Sequence, residues 1–339
     1  MTGRSMNSTG RFGDELEARL PLTIGEACLQ ASLFLEAEGV GEPRSNAELL
    51  LMHLLGLERA ELLRDLRDPF PQAELESWKQ LIARKAAGEP VQYIIGEQWF
   101  YGLPYTVTPA VLVPRPETEL LVEAVFAAVD RLWPQAQATA GSGADGSVGA
   151  GVGGDVPTVV DVGTGSGAIG VTLAALRPLW RVCASDLSPD ALAVARSNAA
   201  RHGAAARMTF VQGDLLGPFA MPRPEQDAAA GQIAGLRIDV LVSNPPYIPA
   251  GDIPALQPEV RDHEPRLALD GGDDGLTPYR RMMEQLPQLA ALPRIVAFEL
   301  GLGQADAVAE MLRQYGAWSE VSIIPDYAGI DRHVIAIQS

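Results

Sequence analysis

Short apolar runs recur through the C-terminal half of the chain near residues 158–162, 180–185, 207–212, 238–243, 294–299, 319–324 and 332–338. Helical patterns near 167–177, 188–202, 277–291 and 303–315 separate most of them. That alternation of strand-length and helix-length segments predicts an α/β fold, a doubly wound, mostly parallel sheet of seven strands. Residues 325–331 between the last two runs are too few for a helical crossover, so the last strand is predicted antiparallel. An open sheet of this kind binds ligands beyond the carboxyl ends of its strands, which makes the residues after each run the candidates for chemistry.

Residues 22 to 88 carry a helical pattern instead. Thr23 and Glu26 have the spacing of a capping box, and Ile24, Ala27, Cys28, Ala31 and Leu35 recur on one face. Ser45 and Glu48 repeat that spacing ahead of the apolar run from Leu49 to Leu55, and Pro71 opens a segment through Leu75, Trp78, Leu81 and Ile82. A small helical bundle over residues 21–90 is predicted, behind a disordered tail at residues 1–20. Tyr93-Ile94-Ile95, Trp99-Phe100-Tyr101 and Tyr105-Thr106-Val107 are β-branched and aromatic, which predicts a β-hairpin linker over residues 91–114. Residues 115–339 make the sheet domain, opened by a helix from Pro116 with Leu121, Val125, Val129 and Leu132 on its apolar side and Trp133-Pro134 at its end. Residues 135–155, nearly all Ala, Gly and Ser, and residues 221–235 are predicted to be flexible inserts without chemistry.

At 339 residues there is length for two domains, and 47% hydrophobic with 20% charged residues fits a soluble globular protein. No apolar run reaches the roughly 20 residues that cross a bilayer, and residues 1–20 lack the apolar segment of a secretory signal. Cys28 and Cys183 stand far apart, and His53, His202, His263 and His333 are scattered without ligand spacing. No disulfide framework and no metal site is predicted, and a reducing cytoplasm is the expected compartment. A formal net charge of −17 opposes sequence-independent binding to a phosphate backbone, so no direct nucleic-acid binding and no membrane partner is expected.

The run Val159-Val160-Asp161-Val162 leads into Gly163-Thr164-Gly165-Ser166-Gly167 and a helix start. Glycines there let the backbone turn tightly and approach a ligand, with helix N–H groups behind them. The bland alternative is a plain strand-to-helix turn, and Gly165, Gly167 and Gly170 also satisfy the dinucleotide pattern, so the motif alone does not choose a cofactor. Asp186 ends the next strand, where a carboxylate accepts both hydroxyls of a ribose; the competing role of helix cap is filled by Ser188 with Pro189. Asp214 follows the third strand and is either a partner for an adenine amine or an ordinary turn carboxylate.

The discriminating feature is Asn244-Pro245-Pro246-Tyr247, directly after the run Ile238-Asp239-Val240-Leu241-Val242. Two prolines end the strand and stiffen the corner. An amide or aromatic amine nitrogen is a poor nucleophile because its lone pair is delocalised. The Asn244 side-chain oxygen and the Pro245 carbonyl can accept its two N–H groups and aim the nitrogen at an electrophile. Both bonds strengthen as positive charge grows on nitrogen, which favours the transition state. Tyr247 offers a flat wall to the planar group. A bare Pro-Pro is usually only a turn; asparagine before it, tyrosine after it and the glycine turn upstream point to a site.

These residues resemble a class I S-adenosylmethionine-dependent methyltransferase, and the chain from about Leu22 onward resembles the HemK/PrmC family of peptide-chain release factor glutamine methyltransferases. The likeness rests on Gly88-Glu89-Pro90-Val91-Gln92-Tyr93-Ile94, Val113-Pro114-Arg115-Pro116-Glu117-Thr118-Glu119, Asp161 through Gly167, Asp186, Asn244 to Tyr247, Glu264-Pro265, Leu269-Asp270-Gly271-Gly272 and Glu299-Leu300-Gly301. The resemblance implies S-adenosyl-L-methionine as cofactor. It implies that Gly163, Thr164, Gly165, Ser166 and Gly167 hold the methionine part, that Asp186 binds the ribose, that Asp214 with Leu215 flanks the adenine and that Asn244 borders the cofactor. It further implies that Asn244, Pro245, Pro246 and Tyr247 grip the glutamine of a Gly-Gly-Gln motif in a release factor, with Asn244, Pro245 and Tyr247 carrying the chemistry. Family members often carry an aromatic residue where Leu215 stands. Arg115 and Glu117 are expected to support the pocket's lip, or to form a structural ion pair and a helix-start carboxylate.

The nearest alternative is a nucleic-acid exocyclic amino methyltransferase acting on a flipped adenine N6, which the acidic charge opposes. A nicotinamide dehydrogenase shares the glycine pattern but leaves Asn-Pro-Pro-Tyr unexplained, and a non-catalytic cofactor-binding adaptor has no need of it.

Overall fold

The computed structural model describes residues 12, 13, 16, 17, 21–137, 156–222 and 233–339. The chain forms two compact units, Met1–Glu97 with Gln257–His263, and Gln98–Leu256 with Glu264–Ser339.

The larger unit is built on a seven-stranded sheet. Its strands are β3 (Thr158–Val162), β4 (Arg181–Asp186), β5 (Met208–Gln212), β6 (Val240–Ser243), β7 (Ile295–Glu299), β8 (Glu320–Pro325) and β9 (Asp331–Ile337). They lie in the order β5-β4-β3-β6-β7-β9-β8, parallel from β5 to β7, with β9 antiparallel to both β7 and β8. The predicted strands, their crossover helices and the antiparallel end are all present. The alternation of side chains splits the core between the two faces: Val159, Val182, Val240 and Val242 pack on one, Val160, Val162, Cys183 and Leu241 on the other. Strand order reverses between β3 and β6, so the chain leaves Val162 and Ser243 side by side, Ser243 Oγ donating to the Val162 carbonyl at 2.7 Å. That crevice is where an open α/β sheet binds its ligand.

The helix Glu117–Leu132 lays Leu121, Val122, Val125 and Val129 on the first face, with Pro116 as its cap. The region 91–114 departs from the prediction. Tyr93-Ile94-Ile95 belongs to a helical turn, Val91–Ile95, because Pro90 sets up the turn and Val91 and Ile94 bury against the neighbouring helices; aromatic, β-branched composition gave the wrong period there. The hairpin is shorter, β1 (Glu97–Phe100) with β2 (Leu103–Thr106). Its corner holds Tyr101 at φ 51°, and Glu119 Oε1 accepts the Tyr101 N–H at 2.7 Å.

In the smaller unit, Thr23 and Glu26 form the expected capping box of the helix Ile24–Ala37. Ser45 does not start a helix. Pro43 sits in the first turn of the helix Pro43–Leu55, so that helix begins ahead of Ser45, Glu42 is its cap, and Glu48 instead pairs with Arg44 at 2.9 Å. Helices Arg59–Asp65 and Leu75–Ala86 complete the bundle around Leu50, Leu51, Trp78 and Ile82. The expected tail at residues 1–20 falls largely outside the described residues. Of the described ones, Phe12 and Leu16, one helical step apart, are buried, and Phe12 stacks on Phe34 at 4.7 Å, which corrects the tail reading at those positions.

The segment Gln257–His263 joins this unit although it follows β6 in sequence. Lys85, with no exposed surface, donates to the Glu89 carbonyl at 3.1 Å and to the Glu259 carboxylate. The insert predicted at 135–155 starts later: Pro134–Gln137 form a 3₁₀ turn that buries Ala136, whose carbonyl accepts the Trp180 indole N–H at 3.2 Å, while 138–155 lie outside the described residues. Of the insert at 221–235, residues 223–232 lie outside them, and Met221 N–H bonds the Gln288 carbonyl at 2.8 Å.

Candidate active site

Beyond the carboxyl ends of β3, β4 and β6 lies a cavity of about 430 Å³. The glycine turn forms one wall. Gly163 and Gly165 have φ of 71° and 56°, conformations a side chain would strain. The turn is fastened from behind: Gly163 and Thr164 N–H groups both donate to the Ser185 carbonyl at 2.9 Å, Gly165 N–H to Asp186 Oδ2 at 2.9 Å, and Gly170 N–H to Asp161 Oδ2 at 2.9 Å. The Thr164 hydroxyl also donates to Asp161, at 2.6 Å, and the Asn198 amide donates to the Ser166 carbonyl at 2.8 Å. Burial pushes the fully enclosed Asp161 carboxyl up to about 6. Of the N–H groups expected to be free at the start of the following helix, that of Gly170 is engaged by Asp161.

Gly163, Thr164, Gly165, Ser166, Asp186, Asp214, Leu215, Asn244 and Pro246 all line the cavity. Gly167, Pro245 and Tyr247 are not among its lining residues. Gly167 instead caps the helix Ala168–Leu176, packed so closely that a Cβ there would lie 2.9 Å from Val171. Asp186 Oδ1 accepts the Ser188 N–H at 2.9 Å, and burial raises its carboxyl above the usual range; Ser188 caps the next helix, as expected. Asp214 is paired with Arg281, another wall residue, and Leu215 is held at φ 51°.

Asn244 and Thr118 both stand at the wall, with Glu299 behind them. Asn244 Nδ2 donates to Thr118 Oγ1 at 3.3 Å, and the Thr118 hydroxyl donates to Glu299 Oε2 at 2.6 Å. Thr118 is 4% exposed and Glu299 2%. Burial pushes the Glu299 carboxyl up to about 7, against the pull of its hydrogen bonds with Thr118 and Asn244. Tyr247 packs against the apolar cluster of the second sheet face, and burial raises its phenol to about 12. Its carbonyl accepts Gln304 Nε2 at 2.8 Å, and Gln304 Oε1 accepts the Gly301 N–H at 2.9 Å. The loop Leu269 to Gly275 crosses the same corner: Ile248 N–H bonds the Leu269 carbonyl and Gly271 N–H the Ile248 carbonyl, both near 2.9 Å and 2.8 Å respectively. A Cβ on Gly271 would come within 2.8 Å of the Pro246 carbonyl.

Arg115, also on the wall, donates through Nη2 to both oxygens of the buried Glu264 at 2.8 and 2.9 Å, which is the structural ion pair. Glu117 is the first residue of its helix and does not line the cavity. Thr118, Glu299, Asp161 and Gln304 were given no roles in the sequence reading. Three of them sat inside quoted motifs, while nothing local marked Gln304. Among the described residues no group of three or more His, Cys, Asp and Glu has the geometry for a metal ion, and no helix is long and apolar enough to cross a membrane.

Residues 26–96 match the family described as the PrmC N-terminal domain, and residues 159–237 match a methyltransferase domain. The release factor glutamine methyltransferase of Moorella thermoacetica is 42% identical over 318 residues, 93% of this chain and 98% of that one. The chain belongs to the release factor glutamine methyltransferase family. Its members in Bacillus subtilis and Geobacter sulfurreducens are each 40% identical, covering 93% and 89% of this chain and 98% and 92% of their own. Family likeness thus extends over the helical bundle and the sheet together.

Proposed function

We propose that this chain transfers a methyl group from S-adenosylmethionine to the side-chain amide nitrogen of the glutamine in the Gly-Gly-Gln motif of peptide-chain release factors, in the cytoplasm. The observation that carries the cofactor is the pair of carboxylates, Asp186 and Asp214, on the cavity wall beside the glycine turn. Carboxylates beside a tight backbone suit a cationic sulfonium, a ribose and an adenine that carry no phosphate. When bound, the cofactor supplies an electrophilic methyl carbon.

On this reading Gly163 to Gly167 border the methionine part, Asp186 accepts from the ribose hydroxyls, and Asp214 and Leu215 flank the adenine. Asn244 Oδ1 and the Pro245 carbonyl accept the two N–H groups of the target amide, leaving its lone pair toward the donor, and Tyr247 packs against the amide plane. Positioning and electrostatics supply the acceleration, since the amide needs no strong base beforehand: its N–H becomes acidic as the new bond forms. Asn244 and Pro246 line the cavity, and Pro245 and Tyr247 adjoin them in the chain. The helical bundle docks the release factor.

The test is incubation with methyl-labelled S-adenosylmethionine and a purified release factor, the label then located by mass spectrometry. Label on the glutamine amide is expected; an unlabelled release factor, or label transferred to nucleic acid bases, overturns the reading.

A further inference from the structure

We propose that Thr118 and Glu299 are positioning residues that fix which way the Asn244 amide faces, so that its oxygen and not its NH2 group is presented to the cavity. The inference rests on the proposed function above and extends it to two residues that reading gives no role, Thr118 on the cavity wall and Glu299 behind it.

An asparagine amide is nearly symmetric in shape, and turning it over exchanges an acceptor for a donor. If the NH2 group faced the target amide, two donors would oppose each other and the substrate would be repelled. A stiff corner alone does not choose between the two orientations; hydrogen-bond chemistry does. Ionised Glu299 can only accept. It takes the Thr118 hydroxyl hydrogen at 2.6 Å, so Thr118 has only lone pairs left to offer, and the group it meets at 3.3 Å must be Asn244 Nδ2. The amide is planar, so Oδ1 lies on the other side, and Asn244 is a wall residue of the cavity. Burial of Thr118 and Glu299 keeps water from breaking the chain of bonds.

The surroundings of Glu299 are consistent with an acceptor. Its backbone carbonyl takes the Tyr279 hydroxyl at 2.6 Å, leaving the carboxylate for Thr118 and Asn244. Arg332 favours the ionised form, and Glu117 disfavours it. The Tyr247 phenol is neutral at physiological pH, and His333, 4.0 Å away, is kept neutral by burial. Protonating Glu299 gives it a donor of its own, frees the Thr118 hydroxyl to turn round, and removes the rule that holds Asn244.

The experiment compares Thr118→Val, Thr118→Ser and Glu299→Gln with wild type in steady-state methylation of a release factor, donor binding by calorimetry, and thermal melting. Thr118→Val is expected to lower kcat/KM for the protein substrate roughly ten- to a hundredfold, with donor affinity within about twofold, while Thr118→Ser restores most of the loss. Glu299→Gln is expected to lower kcat and to abolish the acidic limb of the wild-type pH profile. Unchanged turnover in Thr118→Val, no rescue by Thr118→Ser, or donor affinity falling in step with turnover overturns the proposal. A readout independent of activity is the pair of Asn244 side-chain NH2 resonances, which in wild type should exchange slowly with water and in Thr118→Val quickly. Should wild type leave release factors unlabelled, the functional reading fails, while slow exchange in wild type lost in Thr118→Val still supports the orientation and equal exchange still sinks it.

Discussion

Asp161 Oδ2 accepts the Gly170 N–H at 2.9 Å, which pins the penultimate residue of β3 to the third residue of the helix it feeds. The glycine is required by that contact, because a Cβ at position 170 would lie 2.9 Å from the same oxygen. Asp161→Ala would strand two buried donors, the Gly170 N–H and the Thr164 hydroxyl, at a cost of roughly 2–4 kcal/mol. Denaturant melts should show that loss, and calorimetry should show weaker S-adenosylmethionine binding; an unchanged dissociation constant would mean that the turn does not need its fastening.

Asn244→Ala and Asp186→Ala should separate chemistry from binding. The first removes the amide at the cavity wall and is expected to lower kcat by about a hundredfold or more with donor affinity nearly constant. The second removes the acceptor of the Gly165 and Ser188 N–H groups and should weaken donor binding first. Equal losses of kcat and donor affinity in Asn244→Ala would contradict this division.

Gly275 has φ 75°, and a Cβ there would lie 2.2 Å from the Tyr247 carbonyl and 2.4 Å from Gln304 Nε2. Gly275→Ala therefore has to push apart the corner and the Gln304 bond that steadies it. Turnover is expected to fall about tenfold or more, with a lower melting midpoint. Activity within about twofold of wild type would show the corner to be more compliant than its contacts suggest.

Glu299 gives stability a distinctive pH dependence. Its carboxyl is raised from 4.5 to about 7, so the folded chain holds a proton that the unfolded chain has released across that window. The contribution is complete below pH 4.5 and disappears as pH rises through 7. Relative to Glu299→Gln, wild type should lose roughly 3 kcal/mol of stability between those limits, which urea melts at several pH values can measure. Parallel stability curves for the two proteins would refute it.

In the smaller unit, Glu259→Ala should leave the buried Lys85 ammonium with the Glu89 carbonyl alone. A loss of roughly 2 kcal/mol is expected, less than for a fully enclosed pair because Glu259 keeps some exposure. Adding Lys85→Met should recover part of it; if the double variant is no more stable than the single, the penalty does not come from an unpaired charge.

The sheet, its crossover helices, the Thr23 capping box and the Ser188 cap were legible because each is written in a few neighbouring residues. So was the proline corner after β6. Local pattern failed where two periods competed. Tyr93-Ile94-Ile95 has strand composition, but Pro90 and burial beside Trp78 and Ile82 make it a helical turn. At Ser45 the cap spacing was real, but Pro43 had already begun the helix.

The sequence by itself determined the architecture of the larger unit and marked several of the residues that line its cavity, among them Gly163, Gly165, Asp186 and Asn244, since periodicity, proline and glycine act over one turn or one strand. Tertiary structure alone decided their partners. Thr118 meets Glu299 across 181 positions and Asn244 across 126, and Arg115 meets Glu264 across 149. Asn244 and Glu299 come together because strand order sets β6 beside β7, and the helix Glu117–Leu132 packed on the sheet brings Thr118 to them. A hydrogen bond has a range of about 3 Å, and which residues come within it depends on how the chain is folded, not on their spacing along it.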